Sequence, residues 1–155
     1  MNYQFNKLSQ EQAEHIAFNW KYERAYSFYN MTADEEDLTE FLNPLQRGDK
    51  YFIVTKGNEE VGFFCFENEG ESIDIGLGLK PELTGRGIGL EFLKVGLDYA
   101  MSKYNPIEIT LSVATFNERA IKVYKKAGFE STENFMQDTN GSCFEFLKMK
   151  YKCAK

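Results

Sequence analysis

The sequence predicts a mixed α/β fold: a twisted, mostly antiparallel sheet with one parallel strand pair and helices on both faces. Three observations carry that prediction. Short segments of alternating apolar and polar residues recur along the chain, the pattern of half-buried strands. Segments of 3.6-residue period stand between some of them. One strand–helix–strand run, residues 72–113, has a crossover long enough to lay its two strands parallel with right-handed connection.

The elements follow in order. Tyr3 and Phe5 alternate within residues 2–8, a first strand. Ser9 followed by Gln12 forms a capping box, after which Ala13, Ile16, Ala17 and Trp20 recur at helical spacing. Thr32 followed by Glu35 reads as a second capping box leading to Leu38, Phe41 and Leu42, with Pro44 closing that helix. The acidic run Asp34–Asp37 falls in its first turn, where negative charge suits the helix dipole. Residues 51–55 and 61–66 flank a KGNE turn and form a hairpin. In residues 72–80, Ile73, Ile75, Leu77 and Leu79 alternate with Asp74, Gly76, Gly78 and Lys80. From Gly87 to about Ser102 the period is helical. Ile107, Ile109, Leu111 and Val113 make another strand, and Asn117 to Ala127 a short helix ended by Gly128. Two last strands, 129–136 and 143–150, flank an Asn140-Gly141 turn.

Composition bounds the function. The 155 residues are expected to form one domain over 1–155, large enough for a real core. Hydrophobic residues at 43% exclude a disordered chain. The net charge of −6 argues against a nucleic-acid binder, which needs clustered Lys and Arg on phosphates. No apolar run approaches the roughly 20 residues of a membrane span, and no signal peptide is visible, so no membrane partner is expected. Cys65, Cys143 and Cys153 are odd in number and unclustered, which points to reduced thiols and a cytoplasmic protein. The single histidine, His15, has no clustered partners, so neither a metal site nor a histidine-based triad is expected.

The chemistry is concentrated in Leu79-Lys80-Pro81-Glu82-Leu83-Thr84-Gly85-Arg86-Gly87-Ile88-Gly89. Three glycines at alternate positions join a strand to a helix. A helix start exposes unpaired N–H groups with partial positive charge, and glycines before it let the backbone curl around an anion. This is a cradle for phosphate or pyrophosphate. It is not a P-loop, because Gly89 is followed by Leu90-Glu91 rather than Lys-Ser/Thr, and the dinucleotide fingerprint fails at Leu90.

Thr84-Gly85-Arg86-Gly87-Ile88-Gly89 resembles the acetyl-CoA loop of the Gcn5-related N-acetyltransferases (GNAT), Arg/Gln-x-x-Gly-x-Gly/Ala, with Thr84 where Arg or Gln is usual. Leu77-Gly78-Leu79-Lys80-Pro81 is similar to that family's cofactor-contacting strand and exit proline. The run from Asn117 to Phe129, NERAIKVYKKAGF, resembles its second signature. The resemblance implies the GNAT fold, with the parallel pair splayed at the cofactor site and the pantetheine arm bonded to strand backbone around Leu77–Leu79. It implies acetyl-CoA as cosubstrate, bound by Leu77, Gly78, Leu79, Thr84, Gly85, Arg86, Gly87, Ile88, Gly89, Asn117, Ile121 and Tyr124. It also implies that Tyr124 protonates the departing thiolate. Helical geometry independently sets Asn117 and Tyr124 two turns apart on one face, with Ile121 between them.

Transfer to an amine needs the amine neutral, and a lysine-like amine with pKa near 10.4 must lose a proton first. Ile73 occupies the position where the family often has a glutamate, so Asp74, turned inward by a bulge, and Glu67 are the candidate bases. Neither Cys65 nor Cys143 has an activating neighbour. The acceptor site is expected from the link between the first two helices, where Trp20, Tyr22, Tyr26, Phe28 and Tyr29 line a pocket or fill core. The expected activity is acetyl transfer to a primary amine of a small molecule or peptide by direct attack in a ternary complex. The alternative is a non-catalytic acyl-CoA sensor on the same scaffold. An uncovered strand edge is compatible with a homodimer.

Overall fold

In a computed structural model describing residues 2–153, seven strands form one sheet in the order β1-β2-β3-β4-β5-β7-β6. They are β1 (Tyr3–Lys7), β2 (Tyr51–Lys56), β3 (Glu59–Asn68), β4 (Ser72–Leu79), β5 (Glu108–Ala114), β6 (Glu130–Thr139) and β7 (Ser142–Lys152). Every neighbouring pair is antiparallel except β4–β5, as the 72–113 unit predicts. The helices are α1 (Gln10–Asn19), α2 (Glu35–Leu42), the single turn α3 (Pro44–Arg47), α4 (Gly89–Tyr104) and α5 (Glu118–Ala127).

The sheet has a core on each face. On one, Phe64, Phe66, Ile73, Ile75, Ile109 and Leu111 pack under Phe92, Leu93 and Leu97 of α4, with Ile121 and Tyr124 of α5 against the edge. On the other, Ile53 and Phe63 meet Ala13, Ile16 and Trp20 of α1 and Phe41 of α2. Alternate residues of β2 and β3 therefore serve opposite cores, which the two-residue period of a strand requires.

Ser9 caps α1 in the expected reciprocal box with Gln12. The second box is different. Asp34, not Thr32, caps α2, accepting the Asp37 N–H at 3.0 Å. Thr32 lies two residues early, in the 3-10 turn Met31–Ala33, and its hydroxyl accepts from Lys21 Nζ. A carboxylate is the stronger acceptor for a helix start, so charge decides between the two candidates. Pro44 does not close α2, which ends at Leu42; it opens α3, where a residue lacking an N–H loses nothing.

Candidate active site

The parallel ladder joining β4 to β5 is only three rungs long, Ser72↔Glu108, Ile73↔Ile109 and Asp74↔Thr110. Beyond Asp74 the strands part. β4 continues along β3 to Leu79, and β5 continues along β7 to Ala114. The edges of the resulting split can be read from the register. Lys80 N–H donates to Val61 O at 2.9 Å, so the main chain of Leu79, and of Leu77 two residues back, faces away from β3 into the split. Thr115 N–H donates to Glu145 O at 3.1 Å, so the Ala114 N–H faces away from β7 into the same space.

The glycine loop lies at the open end. Thr84 braces its entry, its hydroxyl and its N–H both donating to Pro81 O. Gly85 and Gly87 take φ of 75° and 78°, the left-handed region that L side chains avoid. A Cβ on Gly87 would meet nothing within 4 Å, so the loop is open there. α4 then begins at Ile88 with no side-chain cap, whereas α1, α2, α3 and α5 are capped by Ser9, Asp34, Asn43 and Asn117. Among the described residues no protein acceptor takes the amides of Gly85, Arg86, Gly87 or Ile88. A helix start with its donors unclaimed suits an anion such as a diphosphate. Arg119, which the sequence reading left unassigned, brings its guanidinium beside this loop, 3.8 Å from where a Gly85 Cβ would stand. Its place inside the second signature was the available signal.

α5 supplies the far side. Asn117 is buried; its Oδ1 caps the helix by accepting the Ala120 N–H at 3.2 Å, and its Nδ2 donates to Tyr29 Oη at 3.2 Å. Ile121 and Tyr124 turn inward to the core edge, with Tyr124 packed on Phe129 at 5.9 Å between ring centroids. Burial pushes the Tyr124 phenol well above its ordinary value, so it stays protonated.

Asp74 stands at the vertex of the split. Ile73 points into the α4-side core, so Asp74 points to the opposite face, where Thr110 Oγ1 donates to its Oδ1 at 2.7 Å. No bulge turns it inward; the β3–β4 ladder is regular and the pleat alone suffices. Desolvation raises its carboxyl above the ordinary value, partly offset by the Thr110 hydrogen bond. Glu67 lies opposite Asp74 on β3 but is exposed and paired with Lys50 at 3.2 Å. Burial pushes the Cys65 thiol up to about 11, leaving it protonated at neutral pH. Gly78 has a packing reason that the sequence did not suggest: a Cβ there would stand 2.3 Å from Cε2 of Phe63, whereas at Gly76 it would meet only Cys65 Cβ at 3.7 Å.

Of the link aromatics, Trp20 is core. Tyr26, Phe28 and Tyr29 instead cluster with Phe116, and Phe28 also meets Phe144 and Phe146, over the mouth of the split. Among the described residues no helix is long and apolar enough to cross a membrane.

This geometry has relatives. The uncharacterized N-acetyltransferase MJ1207 of Methanocaldococcus jannaschii is 27% identical over 71% of this chain and 63% of its own. The spermidine N(1)-acetyltransferase of Escherichia coli K12 is 32% identical over 46% of this chain and 39% of its own. The chain thus spans less than two thirds of the length of these two relatives. The peptidyl-lysine N-acetyltransferase YjaB of Escherichia coli K12 is 29% identical over 75% of this chain and 71% of its own. Among solved structures, a chimera of the Vibrio cholerae spermidine N-acetyltransferase SpeG and hSSAT covers 98% of this chain and 96% of its own, with TM-score 0.78 and 21% identity. Vibrio cholerae spermidine N-acetyltransferase in complex with CoA and spermine covers 97% of this chain and 95% of its own, with TM-score 0.73 and 18% identity. At such identities these two structures speak for the fold. The acetyltransferase (GNAT) domain family matches residues 4–130, most of the sheet and all five helices, and the chain belongs to that family.

Proposed function

We propose that this protein transfers the acetyl group of acetyl-CoA to a primary amine by direct attack in a ternary complex. The observation that carries this reading is the pairing of an uncapped helix start, with open left-handed glycines before it, with a strand split whose main-chain edges pair with no other strand. The first accepts the diphosphate. The amides of Gly85–Ile88 and the start of α4 hold it, with Arg119 alongside. The second accepts the pantetheine arm, which lies along β4 and bonds to the main chain of Leu77 and Leu79 as an added strand.

The chain's groups then divide the chemistry. Asp74, half-buried, takes the amine proton directly or through water, with Thr110 fixing its orientation. Glu67, exposed and paired with Lys50, is the weaker candidate. The neutral amine attacks the thioester carbonyl, a C–N bond forms, and the C–S bond breaks. As the tetrahedral adduct collapses, Tyr124 gives its proton to the leaving thiolate, and the nitrogen releases its surplus proton, which returns through solvent to the phenolate. The acceptor enters from the face carrying α1, α2 and their link. The relatives' named acceptors, spermidine and peptidyl-lysine, define the amine classes to test.

A thiol-release assay with acetyl-CoA across polyamines and lysine peptides tests the activity. Tyr124→Phe should lower turnover about 100-fold or more while CoA affinity stays within about two-fold. Unchanged turnover removes Tyr124 from the mechanism. CoA binding without turnover on any amine supports a sensor instead.

A further inference from the structure

The link between α1 and α2 crosses the mouth of the split and is held there by three tyrosines. Tyr22 Oη donates to the Leu79 carbonyl at 2.7 Å. The Tyr26 ring lies 4.3 Å from the Arg119 guanidinium carbon. The Tyr29 oxygen accepts from Asn117 Nδ2 at 3.2 Å, and the Ala114 N–H points at the same oxygen.

Two of these anchor points are special. The Leu79 carbonyl and the Ala114 N–H are main-chain groups that the sheet leaves over where β4 and β5 part. Tyr22 offers a donor to the lip that needs one, and Tyr29 an acceptor to the other. A chain of amide groups lying in the split presents the same complement, an N–H to Leu79 and a C=O to Ala114 and Asn117.

Elsewhere the link is held at the surface, by ring contacts of Phe28 and Tyr29 with Phe116, Phe144 and Phe146 rather than by fully buried side chains. Its 3-10 segments, Arg24–Tyr29 and Met31–Ala33, bury no residue and carry no side-chain cap. Arg24 sits at φ 56°, in the left-handed region. Asn30 Oδ1 accepts the Tyr22 N–H at 2.7 Å, which closes residues 22–30 into one loop. Asn140 Nδ2 donates to Phe28 O at 2.9 Å and hangs that loop on the β6–β7 turn.

We infer that the phenols of Tyr22 and Tyr29 hold the places of amide groups of the pantetheine arm, so that loading the cofactor unlatches the link and opens the acceptor side. This rests on the split being the cofactor's channel. Tyr22 and Tyr29 are positioning residues in this scheme. They tie the acceptor wall to the channel and release it when the cofactor enters, so cofactor binds first and acceptor second. The unlatching lowers apparent cofactor affinity, because only the open fraction is competent.

Amide hydrogen exchange and calorimetry with CoA test this in wild type, Tyr22→Phe, Tyr29→Phe and the double variant. Without ligand, the Ala114 amide should lose protection in Tyr29→Phe, and residues 22–33 should exchange faster in both single variants. CoA added to wild type should protect residues 85–91 while speeding exchange across residues 22–33. Each single variant should bind CoA about 2- to 10-fold more tightly, the scale of one hydrogen bond, and the double variant more tightly than either. An Ala114 amide unmoved by Tyr29→Phe, or equal or weaker CoA binding by the variants, overturns the inference. So does slower exchange of residues 22–33 in wild type with CoA. Failure of CoA to protect residues 85–91 overturns the channel reading instead. Tyr22→Phe keeps the test decisive should Tyr29→Phe fold poorly.

Discussion

Replacing Gly87 by Glu isolates the anion cradle from the rest of the fold. A Cβ at this position meets nothing within 4 Å, so the new side chain displaces no protein atom. The cost to folding is the left-handed backbone alone, at φ 78°, about 1–2 kcal/mol for an L-residue. The cost to binding is larger. A carboxylate about 4 Å from a diphosphate charge is repelled by roughly 1 kcal/mol at the dielectric of water and about 4 kcal/mol at an effective dielectric of 20. CoA affinity should therefore fall by a factor between about 5 and 1,000. Isothermal titration calorimetry measures the affinity and thermal unfolding checks the fold. Raising salt should narrow the gap, since screening weakens the repulsion. A folded Gly87→Glu protein that binds CoA within two-fold of wild type would show that the diphosphate lies elsewhere, and the assignment of the loop would fall with it.

Two other substitutions probe the site from within. Asp74→Asn keeps an acceptor for Thr110 Oγ1 but removes a carboxylate whose folded pKa is raised. A raised carboxyl favours the fold below its unfolded pKa near 3.9 and loses that contribution as pH rises through the folded value. The variant should therefore be more stable than wild type at pH 7, the difference closing towards pH 4, while losing acetyl transfer. Denaturant melts at both pH values measure this, and equal or lower stability at pH 7 contradicts the burial argument. Gly78→Ala drives a methyl into the Phe63 ring and should cost about 1–3 kcal/mol by overpacking, read as a lower denaturant midpoint at unchanged slope. Restoration by the paired change Phe63→Leu would confirm the clash, and a neutral Gly78→Ala would refute it.

Much of this molecule was legible in the chain because its strongest signals are local. Strand alternation, the Ser9 box, the Asn117 cap and the Gly128 stop each act within a few residues, and each stands where the pattern places it. The β4–β5 parting was readable only through the resemblance to a family. Nothing in Ser72–Leu79 itself says that its pairing with β5 ends after Asp74. The cap of α2 was misplaced because Thr32 and Asp34 both satisfy short-range rules, and charge at the helix start separates them. What the sequence could not reveal is long-range. The reason for Gly78 is a ring on β3, and Tyr29 reaches Asn117 across 88 positions. The aromatic link was divided between core and pocket for the same reason. Its rings are apolar enough for either, and only Tyr22 and Tyr29 reveal by their hydroxyl partners that they serve the split.

The short β4–β5 ladder also has a mechanical meaning. Three ladder rungs, extended by the Ile107 N–H to Glu71 O bond just before them, stitch β1–β4 to β5–β7, so the sheet is two smaller sheets sharing a narrow seam. Whatever lies in the seam beyond Asp74 serves as mortar between the halves. A ligand there that binds the folded sheet and not the unfolded chain stabilises the whole protein, by an amount that rises with the logarithm of its concentration once above Kd. On the proposed reading, the wedge that brings the thioester would also complete the architecture that holds it.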